Sequence, residues 1–195
     1  MSAKHAFWNK RKSLALSFAA LVICLFFDRQ ILSAVQSIRN PVMDTILSWF
    51  SSYLTIAIVM LIMSSLFLYQ SKKQGMILSL WLSFLVSALL AFIIKSAVHR
   101  PRPFGLVVKI PILGLQDFSF PSGHSTSAFS TVAILDEEFR HIQVFWIGFA
   151  CLVAFSRVYF AVHYPSDVIA GGIIGYLIGE GFSHIRRPEK RGKHR

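Results

Sequence analysis

Apolar residues run along this chain in long blocks separated by short polar and charged stretches. No charged residue interrupts 45–71, between Asp44 and Lys72, or 74–94, between Lys73 and Lys95. Each window is long enough for the roughly 20 residues that an α-helix needs to cross a bilayer. Four further blocks are shorter or interrupted: 13–27, with a continuation past Asp28 left open, 123–135, 142–160 and 167–185. Together they predict an all-α, polytopic membrane protein, a six-transmembrane-helix bundle forming one membrane-embedded domain over 1–195. Asn40-Pro41 breaks the chain between the first two blocks, and 41–50 reads as a short interfacial helix. Gly171, Gly172, Gly175 and Gly179 in the last block predict close helix packing.

Composition agrees with a bilayer, because charged residues make up 15% of the chain, against about 25% in soluble domains. The net charge of +11 could suggest nucleic acid, but much of the basic charge sits in tails and short loops beside apolar blocks. No nucleic-acid partner is expected. Placing the N-terminus in the cytoplasm puts Lys4, Lys10, Arg11, Lys12, Lys72, Lys73, Arg140 and the basic tail 186–195 on that side. The resulting bias favours an N-in/C-in orientation. The tail suits attraction to anionic lipid head groups. Lys10, Arg11 and Lys12 resemble the start of a signal peptide, but no small-x-small cleavage site follows, so an uncleaved first helix is expected. Cys24 and Cys151 lie inside apolar blocks and read as small hydrophobes.

Seven basic residues fall on the opposite, outer side against that bias: Arg29, Arg39, Lys95, Arg100, Arg102, Lys109 and Arg157. Arg29 and Arg39 suit interfacial snorkelling. The other five lie in 95–109 and 156–167, which also carry His99, His163 and Asp167. Cations and histidines gathered at one mouth of a helix bundle point to an anion site.

Three segments carry the chemistry: 95–103, 121–124 and 156–167. In the first, Lys95 and Arg102 offer a point charge and a planar fork to phosphate oxygens. In the second, Pro121-Ser122-Gly123-His124 precedes an apolar block. Ser122 is suited to cap a helix, Gly123 permits close backbone approach, and the helix N-terminus is a ready anion site. His124 falls in the first turn. In the third, Arg157 lies in an apolar stretch and needs a partner or ligand, while His163 and Asp167 bracket Tyr164-Pro165-Ser166. A carboxylate can fix an imidazole's tautomer and make its other nitrogen a better nucleophile. Taken singly, these segments also read as a membrane-edge basic loop, a plain helix start and a structural His–Asp cap; their joint placement at one mouth favours a reacting site. Zinc ligation by His99, His124, His163 and Asp167 is disfavoured, since Lys95, Arg102 and Arg157 would repel the metal. No cofactor is expected.

The three segments resemble the motifs of the type 2 phosphatidic acid phosphatase family: Lys-x6-Arg-Pro at Lys95…Arg102-Pro103, Pro-Ser-Gly-His at 121–124, and Ser-Arg-x5-His-x3-Asp at Ser156-Arg157…His163…Asp167. The resemblance implies a membrane lipid phosphatase. His163 would form a phosphohistidine, Asp167 would orient it, and His124 would protonate the leaving oxygen and then assist the attacking water. Lys95, Arg102, Ser122, Gly123 and Arg157 would hold the phosphoryl oxygens. It implies lipid phosphates as substrates, with phosphatidylglycerol phosphate and undecaprenyl pyrophosphate favoured, a bacterial inner membrane, and a site on the periplasmic side. It also implies inhibition by vanadate, because soluble vanadium haloperoxidases share the family fold. His99 and Arg100 occupy positions the family leaves free. The competing reading is a lipid-phosphate binding protein or transporter without turnover; it has no need of His124, His163 and Asp167 together.

Overall fold

The computed structural model describes residues 3–109 and 116–184. The basic tail 186–195 and part of the 104–120 loop lie outside the described residues. The chain forms helices α1 (Ala3–Ser37), α2 (Pro41–Phe50), α3 (Tyr53–Ile56), α4 (Ser64–Gln70), α5 (Gly75–Val98), α6 (Gly123–Glu138), α7 (Gln143–Tyr159) and α8 (Pro165–Ser183). A π-helical stretch, Ala57–Met63, joins α3 to α4. A two-residue antiparallel ladder pairs β1 (Val108–Lys109) with β2 (Gln116–Asp117).

Among the described residues, three helical segments are long and apolar enough to cross a membrane: Lys12–Ser37, Tyr53–Gln70 and Gly75–Val98; Gln143–Tyr159 is apolar but shorter. Their outward faces are apolar, with Phe26 77%, Leu54 70% and Leu85 57% exposed, as expected of side chains that meet lipid. The first span runs ten residues beyond 27, through Asp28. A carboxylate inside such a helix is costly unless paired. Asp28 is buried and accepts from Arg100 Nη2 at 2.7 Å and from the Ser166 backbone at 2.8 Å. The break at Asn40-Pro41 is as expected: the Asn40 side chain accepts from Met43 N at 3.0 Å, and Pro41 starts α2.

Helix α6 is central. Every described side chain from 123 to 135 is buried except the half-buried Phe129. Facing protein rather than lipid, it tolerates a polar sequence. Thr126, Ser130 and Thr131 return their hydroxyls to carbonyls three or four residues back, at 2.8–2.9 Å. On one side it meets α5 through a small-residue stripe, Ser79, Ser83, Ser87 and Ala91, all buried. Ser87 and Ser130 hydrogen-bond across this seam at 3.2 Å. On the other side it meets α8 through glycine. A Cβ on Gly175 would collide with the Thr126 carbonyl, one on Gly179 with that of Ser130, and one on Gly171 would stand 2.7 Å from the Ser122 carbonyl. Backbone meets backbone here, as the glycine spacing predicted.

Gly179→Ala forces the α6 backbone away from α8. Overpacking of this kind costs about 1–3 kcal/mol, so the thermal unfolding midpoint in detergent is expected to fall while Gly181→Ala, with open space around it, leaves it unchanged.

Candidate active site

The C-terminal ends of α5 and α7 and the N-terminal ends of α3, α6 and α8 meet at one end of the bundle. Lys95, in the last turn of α5, is the next residue in the stripe that packs on α6. The helix then stops at His99, whose left-handed backbone (φ 53°) turns the chain outward. The turn delivers Arg100 and Arg102 to the site, and the His99 ring packs against Phe118 rather than reaching it.

The third segment folds as its spacing requires. At the end of α7 the Arg157 carbonyl accepts from the backbone of both Val162 and His163, at 3.1 and 3.3 Å. Five intervening residues therefore close a compact turn that buries His163. Pro165 starts α8, and Asp167 at its third position reaches back to Tyr164 N at 2.9 Å. Asp167 thus caps α8 and also faces His163, so the structural reading and the catalytic one fall on the same carboxylate.

His163 Nδ1 lies 3.6 Å from Asp167 Oδ2, beyond a direct hydrogen bond. Ser119 stands beside the pair. Its hydroxyl donates to Asp167 Oδ2 at 2.5 Å and lies 3.5 Å from His163 Nδ1. On the other edge of the ring, Arg102 Nη1 is 3.4 Å from His163 Nε2. Burial, with the charges of Lys95, Arg102 and Arg157, holds the His163 imidazole well below the ordinary histidine value. At neutral pH its ring is uncharged and retains a lone pair.

The cations are held rather than loose. Lys95 Nζ donates to Asp117 Oδ1 at 2.8 Å and to the Phe118 carbonyl at 2.7 Å. Arg102 binds Asp117 through Nη2 at 2.6 Å, the Asp117 carbonyl through Nε at 2.9 Å and the Val162 carbonyl through Nη1 at 2.6 Å. Arg157 donates through Nη1 to the Ser51 carbonyl at 3.0 Å and also to the Ser51 hydroxyl. Arg157 Nε and Ser122 Oγ are buried without a hydrogen-bond partner among the described residues. Ser122 therefore occupies the cap position of α6 without capping through its side chain, contrary to the expectation from sequence. Its backbone N–H donates to the Asp167 carbonyl at 3.0 Å, tying the start of α6 to the start of α8. Gly123 makes room for the Tyr53 hydroxyl, 2.8 Å from where a Cβ would stand. The Tyr53 ring lies against the His124 imidazole, with centroids 3.6 Å apart.

Thus Lys95, Arg102, Ser122, Gly123, His124, Arg157, His163 and Asp167 all come to this end of the bundle. The sequence did not reveal Asp28, Ser51, Tyr53, Asp117 and Ser119. Asp28 stands at an apolar block with nothing beside it to mark its partners, and the others lie outside any reactive spacing pattern. Arg100 bridges Asp28 and Asp167, at 2.7 and 2.6 Å, and its guanidinium lies over the Tyr164 ring. Arg39 pairs with Asp44 at 3.2 Å and stacks on Tyr159 and Phe160.

Because the His163 value is depressed on folding, the unfolded chain binds an extra proton once pH falls below about 6.5. The stability contributed by this residue is complete above that pH and is lost as pH falls through the folded value. Thermal unfolding at pH 7.5 and 5.5 is expected to show a larger fall in midpoint for wild type than for His163→Gln, with a slope difference of at most about 1.4 kcal/mol per pH unit.

A PAP2 superfamily profile matches residues 76–191. Undecaprenyl-diphosphatase BcrC of Bacillus subtilis is 27% identical over 157 residues, 77% of this chain and 80% of its own length. Phosphatidylglycerophosphatase B of the same species is 29% identical over 167 residues, 77% and 79% of the two chains. This chain spans only about half the length of other curated relatives, such as the lipid A 1-phosphatase of Rhizobium johnstonii, of which it covers 48%. The crystal structure of a transmembrane PAP2 type phosphatidylglycerolphosphate phosphatase from Bacillus subtilis superposes with a TM-score of 0.65 over 93% of this chain and 98% of that one, at 24% identity, an agreement of fold. With its helical membrane architecture and a match across more than half its length, the chain belongs to the PAP2 superfamily and is one of its membrane phosphatases.

Proposed function

We propose that this membrane phosphatase removes the terminal phosphate of a polyprenyl diphosphate or the phosphate of phosphatidylglycerol phosphate, through a phosphohistidine at His163. The observation that carries the mechanism is the approach of Arg102 Nη1 to within 3.4 Å of His163 Nε2. The ring nitrogen free of the Asp167 side faces a held cation, so a phosphoryl group drawn in by Arg102 meets the nucleophile directly. Lys95, Arg102, Arg157 Nε, Ser122 Oγ and the N-terminus of α6 supply donors for its equatorial oxygens. Phosphoryl transfer depends chiefly on such positioning and charge neutralisation.

In the first step His163 Nε2 attacks phosphorus, the bond to the lipid oxygen breaks, and His124 gives that oxygen a proton. In the second, His124 takes a proton from water, whose oxygen attacks phosphorus, and the P–N bond breaks to release phosphate and neutral His163. Asp167 and Ser119 keep a proton on Nδ1, so that Nε2 is the attacking atom.

The two relatives matched over about three quarters of both chains, an undecaprenyl-diphosphatase and a phosphatidylglycerophosphatase, support these two substrates. The distribution of Lys and Arg supports six crossings of one domain with both termini in the cytoplasm. The site then opens on the outer face of a bacterial inner membrane, where the lipid enters from the side.

Protein purified in detergent, with EDTA present, is expected to release phosphate from undecaprenyl diphosphate or phosphatidylglycerol phosphate faster than from phosphatidic acid or a lipid A phosphate. His163→Ala is expected to lower that rate by at least about 10³-fold with its fold intact. Undiminished release by His163→Ala contradicts the mechanism. Lipid-phosphate binding without turnover in wild type favours the non-hydrolytic reading.

A further inference from the structure

Asp117 has no part in the reaction scheme above, yet it is bound to two of the groups on which that scheme rests. Its carboxylate accepts from Lys95 Nζ at 2.8 Å through Oδ1 and from Arg102 Nη2 at 2.6 Å through Oδ2. Lys95 and Arg102 are almost fully buried, at 6% and 5% exposed. Two like charges brought together away from water repel each other and are costly to desolvate. A single carboxylate between them offsets both effects and fixes their separation.

We propose that Asp117 is the positioning residue of the phosphoryl site, holding Lys95 and Arg102 as a preassembled pair whose remaining N–H groups face the phosphate. The inference rests on the proposed function of those cations as phosphoryl holders. The geometry separates it from the rival idea that Asp117 is a resident anion which the phosphate must displace. Asp117 grips one edge of the Arg102 guanidinium, by its carbonyl at Nε and its carboxylate at Nη2. The Nη1 end is the part that lies against His163 Nε2. A phosphoryl group at Nε2 therefore meets a different part of the fork from the one Asp117 occupies. An ammonium has three N–H donors. Two of those on Lys95 are taken by Asp117 and the Phe118 carbonyl, which leaves one and fixes its direction.

The main chain is braced for this task. Asp117 sits in the β1–β2 ladder opposite Val108. Two residues on, Ser119 donates to Asp167. One short segment thus reaches the cation pair through Asp117 and Phe118, and the nucleophile's carboxylate through Ser119. Asp117 itself is a quarter exposed, so replacing it removes orientation without opening a core cavity.

The test uses the full chain in detergent and orthovanadate, a phosphoryl transition-state mimic, as the probe. Affinity is measured by calorimetry and by inhibition of phosphate release. Asp117→Asn is expected to raise the vanadate dissociation constant about tenfold or more and to lower kcat/KM; its unliganded unfolding midpoint is expected to fall, because the buried cations lose their counter-charge, so affinities are compared at a temperature where both proteins are folded. Asp117→Glu keeps the charge but displaces the carboxylate by one methylene, and is expected to weaken binding to an intermediate degree. Unchanged or tighter vanadate binding in Asp117→Asn overturns the proposal, as does wild-type affinity in Asp117→Glu, which would leave charge alone as the cause. Absence of vanadate binding in wild type would instead overturn the reading of Lys95 and Arg102 as phosphoryl holders.

Discussion

The site depends on the close contact between α6 and α8. A side chain at Gly171, Gly175 or Gly179 would overlap the α6 backbone, so these glycines let the two helices approach at van der Waals distance. At the site end of this seam the Ser122 N–H reaches the Asp167 carbonyl at 3.0 Å. That bond sets the start of α6, with His124, against the start of α8, with Asp167 and the preceding His163. Small-residue packing is how helices associate where lipid provides no hydrophobic drive. Here it also fixes the register between the two histidines.

Around this seam, buried charge is organised in two chains that share the Asp167–Ser119 contact. One runs from Asp28 in α1 through Arg100 to Asp167. It explains how a carboxylate persists inside a membrane-length helix: Asp28 draws α1 onto α8 and is neutralised there. The other joins Lys95 and Arg102 to Asp117, and two residues along the main chain Ser119 donates to Asp167. The cations are thereby held in place before any ligand arrives. Preorganised charge of this kind is worth most at the moment of bond making, because it need not reorient.

Much of this was legible in the sequence. The charge-free windows marked two of the three membrane-length helices found among the described residues, Asn40-Pro41 marked the start of α2, and the glycine spacing in α8 marked the close packing. The three motif segments converge at one end of the bundle, although the His99 ring packs on Phe118 instead of reaching the site. The rest was hidden for physical reasons. The pairing of Asp28 leaves no local mark because its partners, Arg100 and Ser166, are 72 and 138 residues away. Ser51 and Tyr53 sit in a charge-free window that announces only hydrophobicity, and their role appears when α3 folds back onto Arg157 and His124. Ser119 and Asp117 precede a motif without a periodic or spacing signal of their own. Ser122 stands at the cap of α6, as its position in the sequence implies, but its Oγ makes no bond to the helix, where serine at such a position usually does.

The central claim is a covalent bond between phosphorus and His163. It is tested most directly by mixing enzyme with lipid substrate carrying a radiolabelled terminal phosphate, quenching in alkali during the first turnover, and locating the label in proteolytic fragments. A phosphohistidine predicts label that is stable to alkali, lost in acid, and confined to the fragment containing His163. It should persist longer in His124→Ala, where water attack is unassisted. Label on another residue, or turnover with none in wild type or His124→Ala, would contradict it.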